Sequence, residues 1–433
     1  MTNPYSFNFL LLDYVWIHEK IVPSAYAKRS SRVLYKGYSN CREESIRIQK
    51  FRMNPAKPAP TKLGRYRQLS PRAAIHVSPL ALGTMTMGNK WSALGMAAME
   101  KESSFKLLDA YFDAGGNHID TANAYQSGES EMCIGEWAEA RGIRDQLVIA
   151  TKYTFPFTLG DASIKQHELY LGNNTKSMRL SLEASLKKLR TTYVDIFYVH
   201  VWDLHTSVEE LMDSLHILVL SGKVLYLGIS DSPAWFVAKA NEYAKAHGKT
   251  PFVVFQAPYS VVRREIEREI LPMCRHEGIA LTLWSVLAEG HIRTDAEEER
   301  RRVSGEKGRS THGPWERTED EKKMCTALEV VAQQVGAKHI TAVAIAYALH
   351  KAPYIYPIIG GRTPEQLMAN IEALDITLTD EHLAYIDGIL PFDKGFLARF
   401  VGEYGGAPGV LGRHSAFDHQ PLARPIQPAP ASK

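Results

Sequence analysis

From residue 64 onward, short apolar runs alternate with longer stretches in which apolar positions recur every three to four residues. Runs of the first kind suit strands buried on both faces and stretches of the second suit helices that bury one face, so the alternation predicts parallel βαβ units. The spacing predicts strands over 80–84, 118–120, 147–152, 194–199, 224–230, 252–257, 280–284 and 355–358. Helices are predicted over 102–114, 129–140, 175–189, 208–221, 233–247, 265–276, 322–335, 341–351 and 364–373. Gly115-Gly116 and Gly142 supply glycine stops for the first two helices. Eight strand-then-helix units in about 300 residues match a single-domain α/β protein of the (β/α)₈ TIM-barrel class. A doubly wound open sheet would carry a glycine-rich phosphate turn after its first strand, and Gly83-Thr-Met-Thr-Met-Gly88 does not have the G-x-G-x-x-G form.

The first 55 residues have no sustained periodicity and end at a proline-rich break over 54–60. They read as an N-terminal extension, disordered or a translation artefact, because Met53 stands immediately before the break. Asp13, Glu19, Glu43 and Glu44 fit poorly in a mitochondrial presequence. The barrel domain is placed at 56–400 and a C-terminal tail at 401–433, the chain after Pro391 wrapping the barrel or partly closing its mouth. The charge-rich segment 294–319 reads as a mobile surface loop, with Arg300, Arg301 and Arg302 on a solvated face.

Composition narrows the partners. With 45% hydrophobic and 23% charged residues the chain has the balance of a globular protein. It nowhere accumulates the roughly 18 apolar residues of a membrane span. Four scattered cysteines suggest neither disulfides nor a zinc site and point to a reducing, cytoplasmic compartment. Residues 1–72 hold 14 Lys/Arg against 4 Asp/Glu. These charges are dispersed and no nucleic-acid-binding fold accompanies them, so the expected partner is a small molecule.

In a (β/α)₈ barrel chemistry collects at the carboxyl ends of the strands. Asp120, Lys152 and His200 stand at or just past the ends of strands two to four, and Tyr125 lies in the loop after Asp120. A phenol with a pKa of about 10 is a poor acid near neutrality, and a neighbouring ammonium lowers that value. Lys152 is expected to do this for Tyr125, with Asp120 keeping the ammonium charged and His200 hydrogen-bonding a substrate carbonyl. Such a set suits reversible carbonyl reduction, with the hydride drawn from a cofactor. Ser230, Asp231 and Gln256 are placed to bond a carboxamide and Trp284 to stack on a nicotinamide, whereas Gly360-Gly361-Arg362 opens a helix where a phosphate can dock. No metal is called for.

These residues resemble the aldo-keto reductase superfamily over roughly 60–400. The motif D-T-x-x-x-Y stands as Asp120-Thr-Ala-Asn-Ala-Tyr125, followed by Gly128-Glu-Ser-Glu131, and the lysine motif as Ile149-Ala-Thr-Lys152. Gly228-Ile-Ser-Asp-Ser-Pro-Ala-Trp235 and Pro357-Ile-Ile-Gly-Gly-Arg362 look like the fungal aryl-alcohol dehydrogenase branch, which includes norsolorinic-acid-reductase-like enzymes. The resemblance implies a catalytic tetrad of Asp120, Tyr125, Lys152 and His200, and NADP(H) as cofactor. It implies cofactor contacts from Thr84, Asp120, Ser230, Asp231, Gln256, Trp284, Ser285, Leu287, Gly360 and Gly361, with Arg362, Gln366 and Asn370 near the adenosine phosphate. It also favours an aryl or polyketide-type carbonyl as substrate. Two positions depart from the pattern: the Ser-Asn pair is Ser230-Asp231, and the Glu beside Asn370 is Ala369. A rival on the same barrel is an NADPH-binding redox-sensing subunit, like the potassium-channel β subunits. Specificity is expected in loops near 153–174 and 288–320 and in the tail, with Phe155, Phe157, Trp202, Trp235 and Trp315 as candidate aromatic walls.

Overall fold

The computed structural model describes residues 58–92, 99–305, 314–403, 409–415 and 420–428. The expected N-terminal extension lies outside them. An antiparallel hairpin, β1 (Arg67–Ser70) and β2 (Ala73–Val77), comes first. Then follow β3 (Ala81–Gly83), α1 (Lys101–Asp113), β4 (His118–Asp120), α2 (Glu129–Arg141), β5 (Val148–Tyr153), α3 (Thr175–Lys188), β6 (Val194–Val199), α4 (Val208–Leu220), β7 (Val224–Ser230) and α5 (Ala234–Ala246). The chain continues through β8 (Phe252–Pro258), α6 (Ile270–Glu277), β9 (Ala280–Trp284), α7 (Asp295–Ser304), α8 (Glu319–Val335), α9 (Ile340–His350), β10 (Ile355–Ile359), α10 (Pro364–Ile371), α11 (Asp380–Ile389) and α12 (Gly395–Val401). Strands β3 to β10 close into a parallel barrel in the order β10-β3-β4-β5-β6-β7-β8-β9. The predicted TIM-barrel class is therefore the observed one.

Strand period sorts the residues. In β5, Val148, Ala150 and Lys152 face the barrel axis, whereas Ile149 and Tyr153 join the layer packed under the helices. In β6, Ile196 and Tyr198 point inward in the same way. The hairpin contributes Leu69, Ala73 and Val77 to this inner cluster, and the Tyr356 hydroxyl donates to the Gln68 carbonyl. It thus plugs the amino-terminal end and leaves the other end open. Tyr198 fills the axis so fully that a Cβ on Gly228 would sit 2.5 Å from its ring, which is why β7 carries glycine there.

Three expectations need correction. Segment 294–319 is not simply a surface loop, because it contains α7, capped by the Thr294 side chain accepting from the Glu297 N–H. Its core is electrostatic: Glu298, Arg293 and Arg317 are buried together, with Glu298 Oε2 2.8 Å from Arg293 Nη2 and 2.8 Å from Arg317 Nε. An apolar-periodicity search has no means of detecting a helix held by ions. The helix expected over 265–276 is broken, a 3₁₀ turn at Glu265–Glu267 preceding α6. Helix α8 begins three residues early because Thr318 and Glu321 form a capping box.

Candidate active site

A cavity of about 1410 Å³ opens at the carboxyl ends of the strands. At its inner end the alternation of β4 and β5 places Asp120 and Lys152 face to face, with Lys152 Nζ 2.6 Å from Asp120 Oδ1 and 2.8 Å from the Thr121 carbonyl. The same nitrogen lies 3.3 Å from the Tyr125 hydroxyl. Tyr125 reaches this position from the loop after β4, which turns back through left-handed Gln126 and Ser127 (φ 51° and 54°). The His200 ring packs edge-on to Tyr125 at 5.9 Å between centroids and to Phe155 at 4.8 Å. Residues distant in sequence are thus gathered at one point.

Burial controls the protonation states. It pushes the Tyr125 hydroxyl above the usual phenol value, and the opposing pull of Lys152 does not overcome it. This corrects the expectation of a net lowered pKa: Lys152 acts in the expected direction, but desolvation is larger. For Lys152, burial would lower the pKa, yet Asp120 and Tyr125 together raise it, so the ammonium stays charged. Burial, reinforced by the Lys152 charge, holds His200 well below its ordinary value and so uncharged. Its Nδ1 is buried without a hydrogen-bond partner.

The remaining predicted positions line the same cavity, with one exception. Thr84, Asp231, Gln256, Trp284, Ser285, Leu287, Gly360, Gly361, Arg362, Gln366 and Asn370 all lie on its wall. Ser230 is buried behind the wall, its Oγ without a partner. Gln256 turns its amide to the tetrad, Nε2 donating to Asp120 Oδ2 at 2.8 Å and to Thr282 Oγ1 at 3.3 Å. Asp231 Oδ1 accepts from the Trp284 indole N–H at 3.4 Å. Gln366 and Asn370 brace their own turn, Gln366 Oε1 accepting from the Arg362 N–H and Asn370 Nδ2 donating to the Gly360 carbonyl.

The outer end of the cavity suits an anionic, phosphorylated group. His339, Ile340 and Thr341 bring the N-terminus of α9 to its wall, and Arg362 with Glu365 and Gln366 brings that of α10. Two helix N-termini, a guanidinium and the open space beside Gly360 together favour phosphate. At the inner end the orphaned Ser230 hydroxyl and the Trp284 ring suit a planar amide-bearing ring. The residues present therefore fit an extended nicotinamide dinucleotide.

The aromatic wall differs from the expected set. Only Phe155 of the five candidates lines the cavity. Phe157 packs on Tyr170, Trp202 stacks on Phe236 beside Trp235, and the Trp315 ring lies over Arg293. Trp91, unforeseen, stands edge-on to Tyr125 at 6.3 Å. Its place between the first strand and the first helix was the available signal, since such loops form this face of the barrel. Arg300 and Arg301 line the cavity instead of a solvated face, and no described tail residue does so.

The fold and this constellation define a barrel oxidoreductase. The Aldo/keto reductase family profile matches residues 79–391, and the chain belongs to that family. It is 53% identical over 378 residues to an aryl-alcohol dehydrogenase [NADP(+)] of Phanerodontia chrysosporium, covering 86% of this chain and 98% of the relative. It is 50% identical over 350 residues to norsolorinic acid reductase stcV of Emericella nidulans, covering 81% and 87% respectively. Aldo-keto reductase ausK of the same organism is 49% identical over 342 residues, covering 79% of this chain and 85% of the relative.

Proposed function

We propose that the protein is an NADP(H)-dependent reductase of aldehydes or ketones, working in reverse as an alcohol dehydrogenase, on an aryl or polyketide-type carbonyl in the cytoplasm. The observation that carries this reading is one nitrogen, Lys152 Nζ, in contact with both Asp120 and Tyr125 at the closed end of a large cavity. Tyr125 keeps its proton at neutral pH and gives it to the substrate oxygen as negative charge develops there. The Lys152 ammonium stabilises the phenolate that results, and Asp120 holds that ammonium in place. Uncharged His200 steers the carbonyl oxygen toward the phenol, while Trp91 and Phe155 offer ring edges and faces to a planar substrate.

The bound dinucleotide supplies the hydride. Ser230, Asp231, Gln256 and Trp284 would hold its nicotinamide end, and Gly360, Gly361 and Arg362 its phosphate end, with Thr84, Ser285 and Leu287 between them and Gln366 and Asn370 supporting the turn. The names of the relatives, an NADP(+) aryl-alcohol dehydrogenase and a norsolorinic acid reductase, support both the cofactor and the substrate class. Tyr125→Phe tests the reading: NADPH consumption with aromatic aldehydes should fall by about 10²–10⁴-fold while NADPH affinity stays nearly constant. Unchanged turnover would remove Tyr125 from its role.

A further inference from the structure

Two carboxylates, Asp120 and Asp231, line the inner end of the cavity, and the Lys152 ammonium lies buried behind Asp120. Lys152 is committed to Asp120 at 2.6 Å. Asp231 accepts from the uncharged Trp284 indole at 3.4 Å, and Lys152 acts on it from further off. The carboxylate is therefore a charge the tetrad does not neutralise. Its backbone is left-handed at φ 42°, a conformation that Asp and Asn tolerate better than other residues with a Cβ.

A hydride donor must lie about 3–3.5 Å from the carbonyl carbon whose oxygen takes the Tyr125 proton. Asp231 lines the cavity beside Tyr125 and is close enough to act on that hydroxyl electrostatically. The ring that gives up hydride becomes a cation at the same place. We propose that Asp231 biases this site toward the oxidised dinucleotide, its carboxylate offering a counter-charge to the nicotinamide cation and none to the uncharged dihydronicotinamide. The inference rests on the carbonyl-reductase reading above.

The bias carries its own pH signature. Desolvation at the cavity wall raises the Asp231 carboxyl to about 6, against smaller opposing effects led by Trp284, although the residue stays solvent-exposed. Facing it, Lys152 and Tyr125 are displaced upward and His200 well downward, and Asp120 is bound to Lys152. Asp231 therefore changes charge between about pH 7.5 and 5.5, which bracket that value.

The experiment is equilibrium titration, by intrinsic tryptophan fluorescence, of the full chain and of Asp231→Asn with NADP⁺ and with NADPH at both pH values. At pH 7.5 the ratio Kd(NADP⁺)/Kd(NADPH) is expected to rise roughly tenfold on substitution, the size of effect a single charge at contact range has in a partly screened site. In the unsubstituted protein the ratio should drift upward toward the variant's as pH falls, while the variant's stays flat. Equal ratios in both proteins, or a ratio in the unsubstituted protein that does not move with pH, would overturn the bias and leave the reductase reading standing. Failure of both proteins to bind either dinucleotide would overturn the two together.

Discussion

Replacing Lys152 by methionine removes the charge and keeps most of the side-chain volume. Lys152 is fully buried and Asp120 nearly so, and the ion pair is short at 2.6 Å. Removing one member of such a pair strands the other, which costs about 3–5 kcal/mol. Here Asp120 would retain the Gln256 amide at 2.8 Å, a partner that softens the penalty without supplying charge, so the lower half of that range is expected. In a domain of this size the loss corresponds to a drop in Tm of roughly 4–5 °C. Turnover should fall much further than stability, by about 10²–10⁴-fold, because the phenolate formed from Tyr125 would have no counter-ion. The double variant Lys152→Met with Asp120→Asn separates the two effects. It should regain most of the lost Tm, because no charge is left stranded, and none of the activity. Circular-dichroism melting and NADPH consumption read the two quantities. A single variant that melts like the unsubstituted protein, or a double variant that recovers turnover, would refute the pairing argument.

Arg362→Ala should weaken NADPH binding far more than NADH binding if the guanidinium faces the extra phosphate, and equal weakening of both by calorimetry would reject that contact. Glu298 gives a pH prediction. Its own burial opposes ionisation, but Arg317 and Arg293 outweigh that and hold its carboxyl down at about 2, below the unfolded value. A depressed folded pKa contributes stability that is present above the unfolded carboxylate value of about 4.3 and is lost as pH falls through about 2. Hydrogen exchange of α7 should therefore lose protection progressively across that acidic window, ahead of the barrel strands. In Glu298→Gln the same helix should be poorly protected already at pH 7, and protection equal to that of the unsubstituted protein would remove the ion cluster as its anchor.

The barrel was legible because its strands are buried on both faces. β4, β6, β7 and β9 fall on the predicted residues, since an apolar run between a glycine or polar turn and a polar strand end has few other ways to be satisfied. Asp120, Lys152 and His200 were legible for the same reason: a charge or imidazole closing an apolar strand has to meet a partner, and a barrel rim is where partners converge. The N-terminal hairpin was missed because its four- and five-residue strands bury only part of one face, so no run stands out. Helix α7 was missed because its stabilising contacts are ionic. Trp91 and the cavity-lining Arg300 and Arg301 were missed because a loop side chain's direction depends on tertiary packing that sequence spacing does not encode.

The direction of the Tyr125 shift shows where charge patterning alone fails. From the sequence, Lys152 near Tyr125 implies an acidified phenol, because the ammonium is the only influence that residue types reveal. In the folded chain the loss of water from around the hydroxyl outweighs the ammonium, and it acts the other way. For a reductase this is the more useful arrangement. A phenol acidified in the resting site would lose its proton before a carbonyl arrived. On the proposed mechanism, a phenol held protonated by burial, with an ammonium 3.3 Å away, would release the proton only when negative charge grows on the substrate oxygen. The ammonium's value is then realised in the transition state and not in the resting enzyme, so the substitution at Lys152 should appear in kcat far more than in KM.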